Sequence, residues 1–169
     1  MADLRQVVAD LGHTDVATYI QSGNVVFTSA DGDTDALAAG IRARLAEELG
    51  VGADVVVLTR GEFEQVIADN PFPVTDPKLV HVALRAGAFR PEEVEAIAVA
   101  EQRARQRGSR DQAVVVGRAL YLHTPGGFGR SELAALLNRG QQAVLATATA
   151  RNWATMCKLR EMLATTDGT

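Results

Sequence analysis

At 169 residues the chain has room for one domain of ordinary size, or two small subdomains sharing a core. A net charge of −4 with 22% charged residues argues against a nucleic-acid-binding surface, which shows as a basic excess. The single cysteine, Cys157, excludes an internal disulfide framework and a cysteine-built metal site, and no apolar run is long enough to span a bilayer.

In chain order, Leu4, Val7, Val8 and Leu11 recur at helical spacing, and Gly12 supplies a stop. Tyr19-Ile20-Gln21, a turn at Ser22-Gly23-Asn24 and Val25-Val26-Phe27 read as a hairpin. Asp33 or Thr34 then caps a helix carrying Leu37, Ile41, Leu45 and Leu49, which ends at Gly50. The apolar run Val55-Val56-Val57-Leu58, inside Asp54 to Thr59, is expected as a strand buried on both faces. A connecting helix with Phe63, Val66 and Ile67 stops at Asn70-Pro71, because proline lacks an amide hydrogen and biases its predecessor away from helix.

Leu79 to Leu84 opens the second half as a strand, and Pro91 starts a helix with Val94, Ile97 and Ala98 on its apolar stripe. Arg103, Arg105, Arg107 and Arg110 cluster at the end of that helix, where cations suit the dipole. Val114-Val115-Val116, Gly117-Arg118 and Leu120-Tyr121-Leu122 predict a second hairpin. A helix with Leu133, Leu136 and Leu137 follows, then a short strand at Ala143-Val144-Leu145. The last helix carries Trp153, Met156, Cys157 and Arg160 on one stripe, and fraying is expected from about Thr165.

These elements predict an α+β protein built from two ferredoxin-like β-α-β-β-α-β subdomains side by side. The expected layout is residues 1–70 for the first copy with its connecting helix and 71–77 for a linker. Residues 78–148 form the second copy, and 149–169 the terminal helix and tail. The strand order 4-1-3-2 makes strand one interior, so the first copy is expected to lack its N-terminal strand, with Met1 an internal methionine. No positively charged start precedes an apolar core as in a signal peptide, and a cytoplasmic location is the default.

Four blocks carry a family resemblance: Tyr19 to Phe27 (Y-I-Q-S-G-N-V-V-F), Asn70 to Phe72 (N-P-F), Leu120 to Ser131 (L-Y-L-H-T-P-G-G-F-G-R-S) and Thr149 to Leu159 (T-A-R-N-W-A-T-M-C-K-L). Together they resemble the bacterial domain of unknown function 1697. Glu132 stands where that family tends to have lysine, and Ala150 where it tends to have a second threonine. The resemblance implies a two-subdomain α+β fold and no activity.

Chemistry is sparse. The loop Pro125-Gly126-Gly127-Phe128-Gly129 runs into a helix near Arg130-Ser131, a pattern that offers backbone N–H groups and a guanidinium to an anion. It departs from the phosphate-loop pattern at Thr124 and Arg130, and the structural alternative is a strand-to-helix turn capped by Ser131. Thr149 is expected to cap the last helix with Arg151 and Asn152 in its first turn, where a cation opposes the dipole and points to an external anion or an acidic partner. Gln21-Ser22-Gly23-Asn24 reads as a hairpin tip satisfying its own backbone. His13, His81 and His123 lack metal-ligand spacing. His81 and His123 are placed to meet across a sheet, with ordinary packing the simpler reading. Cys157 reads as an inert core thiol.

The sequence therefore points to a domain that binds a small anionic ligand, phosphate-bearing metabolites among them. Gly127, Gly129, Arg130 and Ser131 make the contacts, with Arg151 and Asn152 as a second clamp. No cofactor, metal or catalytic residue is indicated. The alternative is an interaction or regulatory module using an open sheet edge and Trp153, with self-association through that edge.

Overall fold

The computed structural model of the protein describes residues 2–21, 23–139 and 143–165. Six α-helices and two antiparallel sheets are described, making the chain a mixed α+β protein. It divides into two compact units, Met1–Gln65 with Cys157–Thr169, and Val66–Met156.

In the first unit, α1 (Ala2–Asp10) precedes a hairpin of β1 (Thr14–Tyr19) and β2 (Asn24–Thr28), followed by α2 (Thr34–Leu49). Val7 and Val8 of α1 meet Ile41 and Leu45 of α2 in a small core, with Val16, Val25 and Phe27 of the hairpin packed against it. Asp33 caps α2 by accepting the N–H groups of Asp35 and Ala36 at 3.1 and 3.0 Å, and Gly50 ends it at φ +64°. The tip of the hairpin turns through Ile20 at φ +48°, a conformation rarely adopted by a β-branched side chain. Asn24 is buried there and donates its Nδ2 to Tyr19 O, so this candidate residue closes its own turn; Ser22 lies outside the described residues.

The apolar run at Asp54–Thr59 is not a strand: residues 51–59 carry no regular secondary structure, and the sheet of this unit has two strands among the described residues. A strand needs a ladder as well as an apolar pattern. Here Val55 and Val57 instead lie on the α1–α2 core as two half-buried side chains. Thr59 and Glu62 then form a reciprocal box that starts α3 (Arg60–Ala68). Glu62 accepts the Thr59 N–H at 2.7 Å, and Thr59 Oγ1 accepts the Glu62 N–H at 3.2 Å.

The second unit runs β3 (Val80–Leu84), α4 (Pro91–Gln106), β4 (Gln112–Val116), β5 (Ala119–His123), α5 (Glu132–Leu137), β6 (Thr149–Asn152) and the start of α6 (Trp153–Thr165). Its sheet order is β4-β5-β3-β6 with every neighbouring pair antiparallel, so β3 is interior and β4 and β6 are edges. Ala83, Leu120 and Leu122 point to the face covered by Ile97 and Ala104 of α4 and Leu133 and Leu137 of α5, and this is the main core. The expected strand at Ala143–Leu145 is a 3-10 turn over Val144–Thr147, and the strand starts six residues later, at Thr149–Asn152. Val144 and Leu145 are consecutive and both enter the same core, which a strand cannot arrange because its neighbours face opposite ways.

Candidate functional site

β3 is apolar and buried at Val80, Val82, Ala83 and Leu84, and His81 is its one polar side chain. In register, His81 sits between Leu122 of β5 and Asn152 of β6. Its ring stacks on Phe128 at 4.3 Å between centroids and 28° between planes. Nδ1 is enclosed without a hydrogen-bond partner among the described residues, while the side chain as a whole is half-buried. Burial lowers the His81 pKa, which favours the neutral ring over the charged one. An orphaned buried nitrogen costs about 1–3 kcal/mol and calls for an explanation that packing does not give.

Phe128 belongs to the glycine-rich loop, which leaves β5 at the same end of the sheet. Buried Thr124 anchors the loop by donating its N–H to Leu79 O at 2.8 Å. Gly127, at φ +90°, returns its N–H to Thr124 O and opens a 3-10 turn over Phe128–Arg130. That turn's first N–H groups, Phe128 and Gly129, have no acceptor within it. A Cβ at Gly126 or Gly129 would meet no atom within 4 Å, so internal packing does not demand glycine at either position. Arg130 is exposed and donates Nε to Gly126 O at 3.0 Å, which aligns its guanidinium along the loop.

The helix that follows is already supplied with an anion. Ser131 caps α5, accepting the Ala134 N–H at 2.9 Å, and donates its hydroxyl to Asp111 Oδ2 at 2.8 Å. The same carboxylate oxygen lies 3.4 Å from the Leu133 N–H, and Asp111 is itself buried. Asp111 was not visible as a functional residue in the sequence, because it meets Ser131, twenty residues further on, with no local motif. Glu132 pairs outward with Arg107.

The second candidate pair is divided by the sheet. Asn152, not Thr149, caps α6 by accepting the Thr155 N–H at 2.9 Å, and Thr149–Asn152 is strand. Arg151 is therefore not in the first turn of a helix, and the expected opposition between its charge and the dipole does not arise. It pairs in register with Val82 while Asn152 pairs with His81, so the two side chains leave β6 on opposite faces. Arg151 Nη1 donates to Ala150 O at 2.8 Å, and burial lowers its pKa. His81 and His123 do not meet either: His123 is in register with Val80, faces the other way and lies 5.7 Å from Phe72.

The expectation for Cys157 is corrected, and the alternative interaction reading loses the use of Trp153. Cys157 is exposed, because α6 buries Trp153, Thr155 and Met156 and turns the thiol outward. Trp153 is buried, with its backbone N–H on Pro77 O, and does not present a ring for a partner. Among the described residues no group of three His, Cys, Asp or Glu is placed to hold a metal ion, and no helix is long and apolar enough to cross a membrane.

The structure thus gathers His81, Asn152, Phe128, Gly127, Gly129 and Arg130 at one end of the sheet. That end is rich in hydrogen-bond donors and has no carboxylate facing the ring among the described residues.

Residues 1–121 match the family described as protein of unknown function (DUF1697). The chain is similar to a solved structure, that of conserved bacterial protein SP0830 from Streptococcus pneumoniae. The two are 23% identical, over 96% of this chain and 88% of that one, with a TM-score of 0.69. At that identity the likeness concerns the fold alone. No curated protein matches the chain.

Proposed function

The chain belongs to the DUF1697 family, and we propose that it binds a small anionic ligand at the His81 end of the second unit's sheet. The observation that carries this reading is a half-buried histidine in an otherwise apolar interior strand, with Nδ1 enclosed and without a partner among the described residues. A leucine would fill that position without the cost of the orphan, so the gain from histidine lies at Nε2. In this reading Nε2 and Asn152 Nδ2 donate to the ligand. Gly127 and Gly129 bring backbone close to it, and Arg130 supplies the charge. Ser131 holds the loop's exit through Asp111, and Arg151 backs β6 from the other face.

Melting curves with inorganic phosphate, sulfate, a nucleoside monophosphate and a dicarboxylate test it. A ligand at a hundred times its Kd stabilises by about 2.7 kcal/mol, which reads as a rise of several degrees for a chain of this size. The rise is expected to vanish in Arg130→Ala. A wild-type melting temperature unmoved by all four anions removes the proposal.

The two units also read as one plan used twice. The order α1-β1-β2-α2 in the first parallels α4-β4-β5-α5 in the second, where β3 and β6 complete a β-α-β-β-α-β unit. Superposing the two segments in a crystal structure tests this, and helices lying on opposite faces of the two hairpins would end it.

A second reading rests on β4, an edge strand that leaves Val114 and Val116 36% and 39% exposed. Such an edge can accept a further strand, from a second copy of the chain or another protein. Sedimentation at high concentration is expected to show association that Val114→Lys abolishes. A strictly monomeric profile excludes the self-association form of this reading.

A further inference from the structure

His81 has a tautomer as well as a position. Its ring is held on one side by Phe128 and in register between Leu122 and Asn152, none of which is titratable. The charged and titratable groups on those same elements are directed elsewhere. His123 and Arg151 leave β5 and β6 on the opposite face of the sheet. Arg130 is exposed and bonded to Gly126 O. Asp111 is engaged by Ser131 and the Leu133 N–H. Before the strand, the Lys78 N–H binds the Asp76 carboxylate, and Lys78 is exposed.

A proton on Nδ1 would place an N–H in an enclosed position with no acceptor among the described residues. A bare Nδ1 leaves only a lone pair there and puts the hydrogen on Nε2. Protonating both nitrogens would add a buried charge without a counter-ion, which desolvation opposes. We infer that His81 acts as an uncharged hydrogen-bond donor, its proton fixed on Nε2, and that anion binding is therefore insensitive to pH where a free imidazole titrates. This rests on the ligand site proposed above, and it makes Arg130 the sole source of positive charge among the proposed contacts. The site then discriminates by geometry and donor direction, not by a histidine that switches on in acid.

Two measurements separate this inference from the ligand reading. In ligand-free protein, nitrogen-15 NMR of the histidine rings reports the tautomer directly. The expected result is a single Nε2–H pattern for His81 that persists as the pH falls from about 8 to the free imidazole value of about 6.5. An Nδ1–H tautomer, an even mixture, or a protonation midpoint near the free value overturns the inference whether or not any anion binds. The second measurement is the sulfate-induced rise in melting temperature, sulfate being a dianion throughout that range. The rise is expected to be equal at both ends of it, to survive in His81→Gln, whose amide donates without titrating, and to be lost in His81→Leu. A rise that grows several-fold toward acid, or one lost in His81→Gln, overturns the uncharged-donor role. A sulfate response absent at every pH alongside the expected tautomer counts instead against the ligand site.

Discussion

The two ends of the second unit's sheet treat polar groups in opposite ways. At the end where β3 finishes, Arg85 donates to Glu93 at 2.8 Å, and Glu93 also accepts the Arg90 N–H at 2.8 Å. The Arg85 guanidinium lies 4.9 Å over the Phe89 ring, while the Arg85 and Phe89 N–H groups reach the hairpin turn at Arg118 O and Gly117 O. Glu93 is thus satisfied within its own neighbourhood, and the cluster ties the start of α4 to the β4–β5 turn. At the other end His81 has a nitrogen without a partner among the described residues, and the loop has glycines at 126 and 129 that packing does not require. Titratable residues alone do not mark a site. A strong pKa shift belongs to the paired end, and the unexplained atom to the open one.

Breaking the paired end gives the largest expected effect. Glu93→Leu removes one partner and leaves Arg85 half-enclosed without its carboxylate, for a loss of about 3 kcal/mol in urea unfolding. The anion response at the other end should be unchanged. The pH dependence has a definite sign. The hydrogen bond from Arg85, then that from the Arg90 N–H, holds the Glu93 carboxyl down at about 2 from 4.5. A depressed folded-state pKa adds stability above the unfolded value and loses it as pH falls. The stability difference between wild type and Glu93→Gln is therefore expected to be constant above about pH 5 and to shrink toward about pH 2. A difference that stays constant down to pH 2 would remove the assigned role of the ion pair.

Next in size is Asp111→Asn, which keeps the shape of the seat beneath α5 and removes its charge. The Ser131 hydroxyl and the Leu133 N–H lose a carboxylate acceptor, at a cost of about 1–2 kcal/mol. If the carboxylate occupied a place meant for an external anion, the variant would instead bind phosphate more tightly than wild type. Unchanged or weaker phosphate binding in Asp111→Asn marks the carboxylate as structural and leaves His81 as the focus of the site.

What the sequence disclosed follows from which interactions are local. The Asp33 and Gly50 caps, the Ile41 and Leu45 part of the α2 stripe and the β4–β5 hairpin depend on residues a few positions apart, and they lie where the pattern puts them, whereas Leu49 at the end of that stripe is exposed. The runs at 55–58 and 143–145 have the composition of strands, but hydrogen-bonding partners decide a strand, and composition does not name them. The glycine loop and Asn152 were visible as motifs. That they share one end of a sheet with His81, and that Arg151 faces away, depends on a register that no local spacing encodes. Asp111 is the same case: its partner lies twenty residues on. Cys157 and Met156 are adjacent, and a small rotation of the α6 stripe exchanges which of them is buried.

The smallest expected effect has the opposite sign and is the sharpest contrast between the two ends. His81→Leu keeps an apolar body beside Phe128 and Leu122 and deletes the enclosed nitrogen. Where loss of Glu93 destabilises, this change is expected to raise stability by about 1 kcal/mol, because an unsatisfied buried polar atom is replaced by carbon. The same variant should lose the phosphate-induced rise in melting temperature. A gain in stability coupled to loss of ligand response is what a residue kept for binding produces, since packing alone would favour leucine. A His81→Leu protein less stable than wild type would place the ring among the ordinary packing groups of the core, and the open end would lose the observation that distinguishes it.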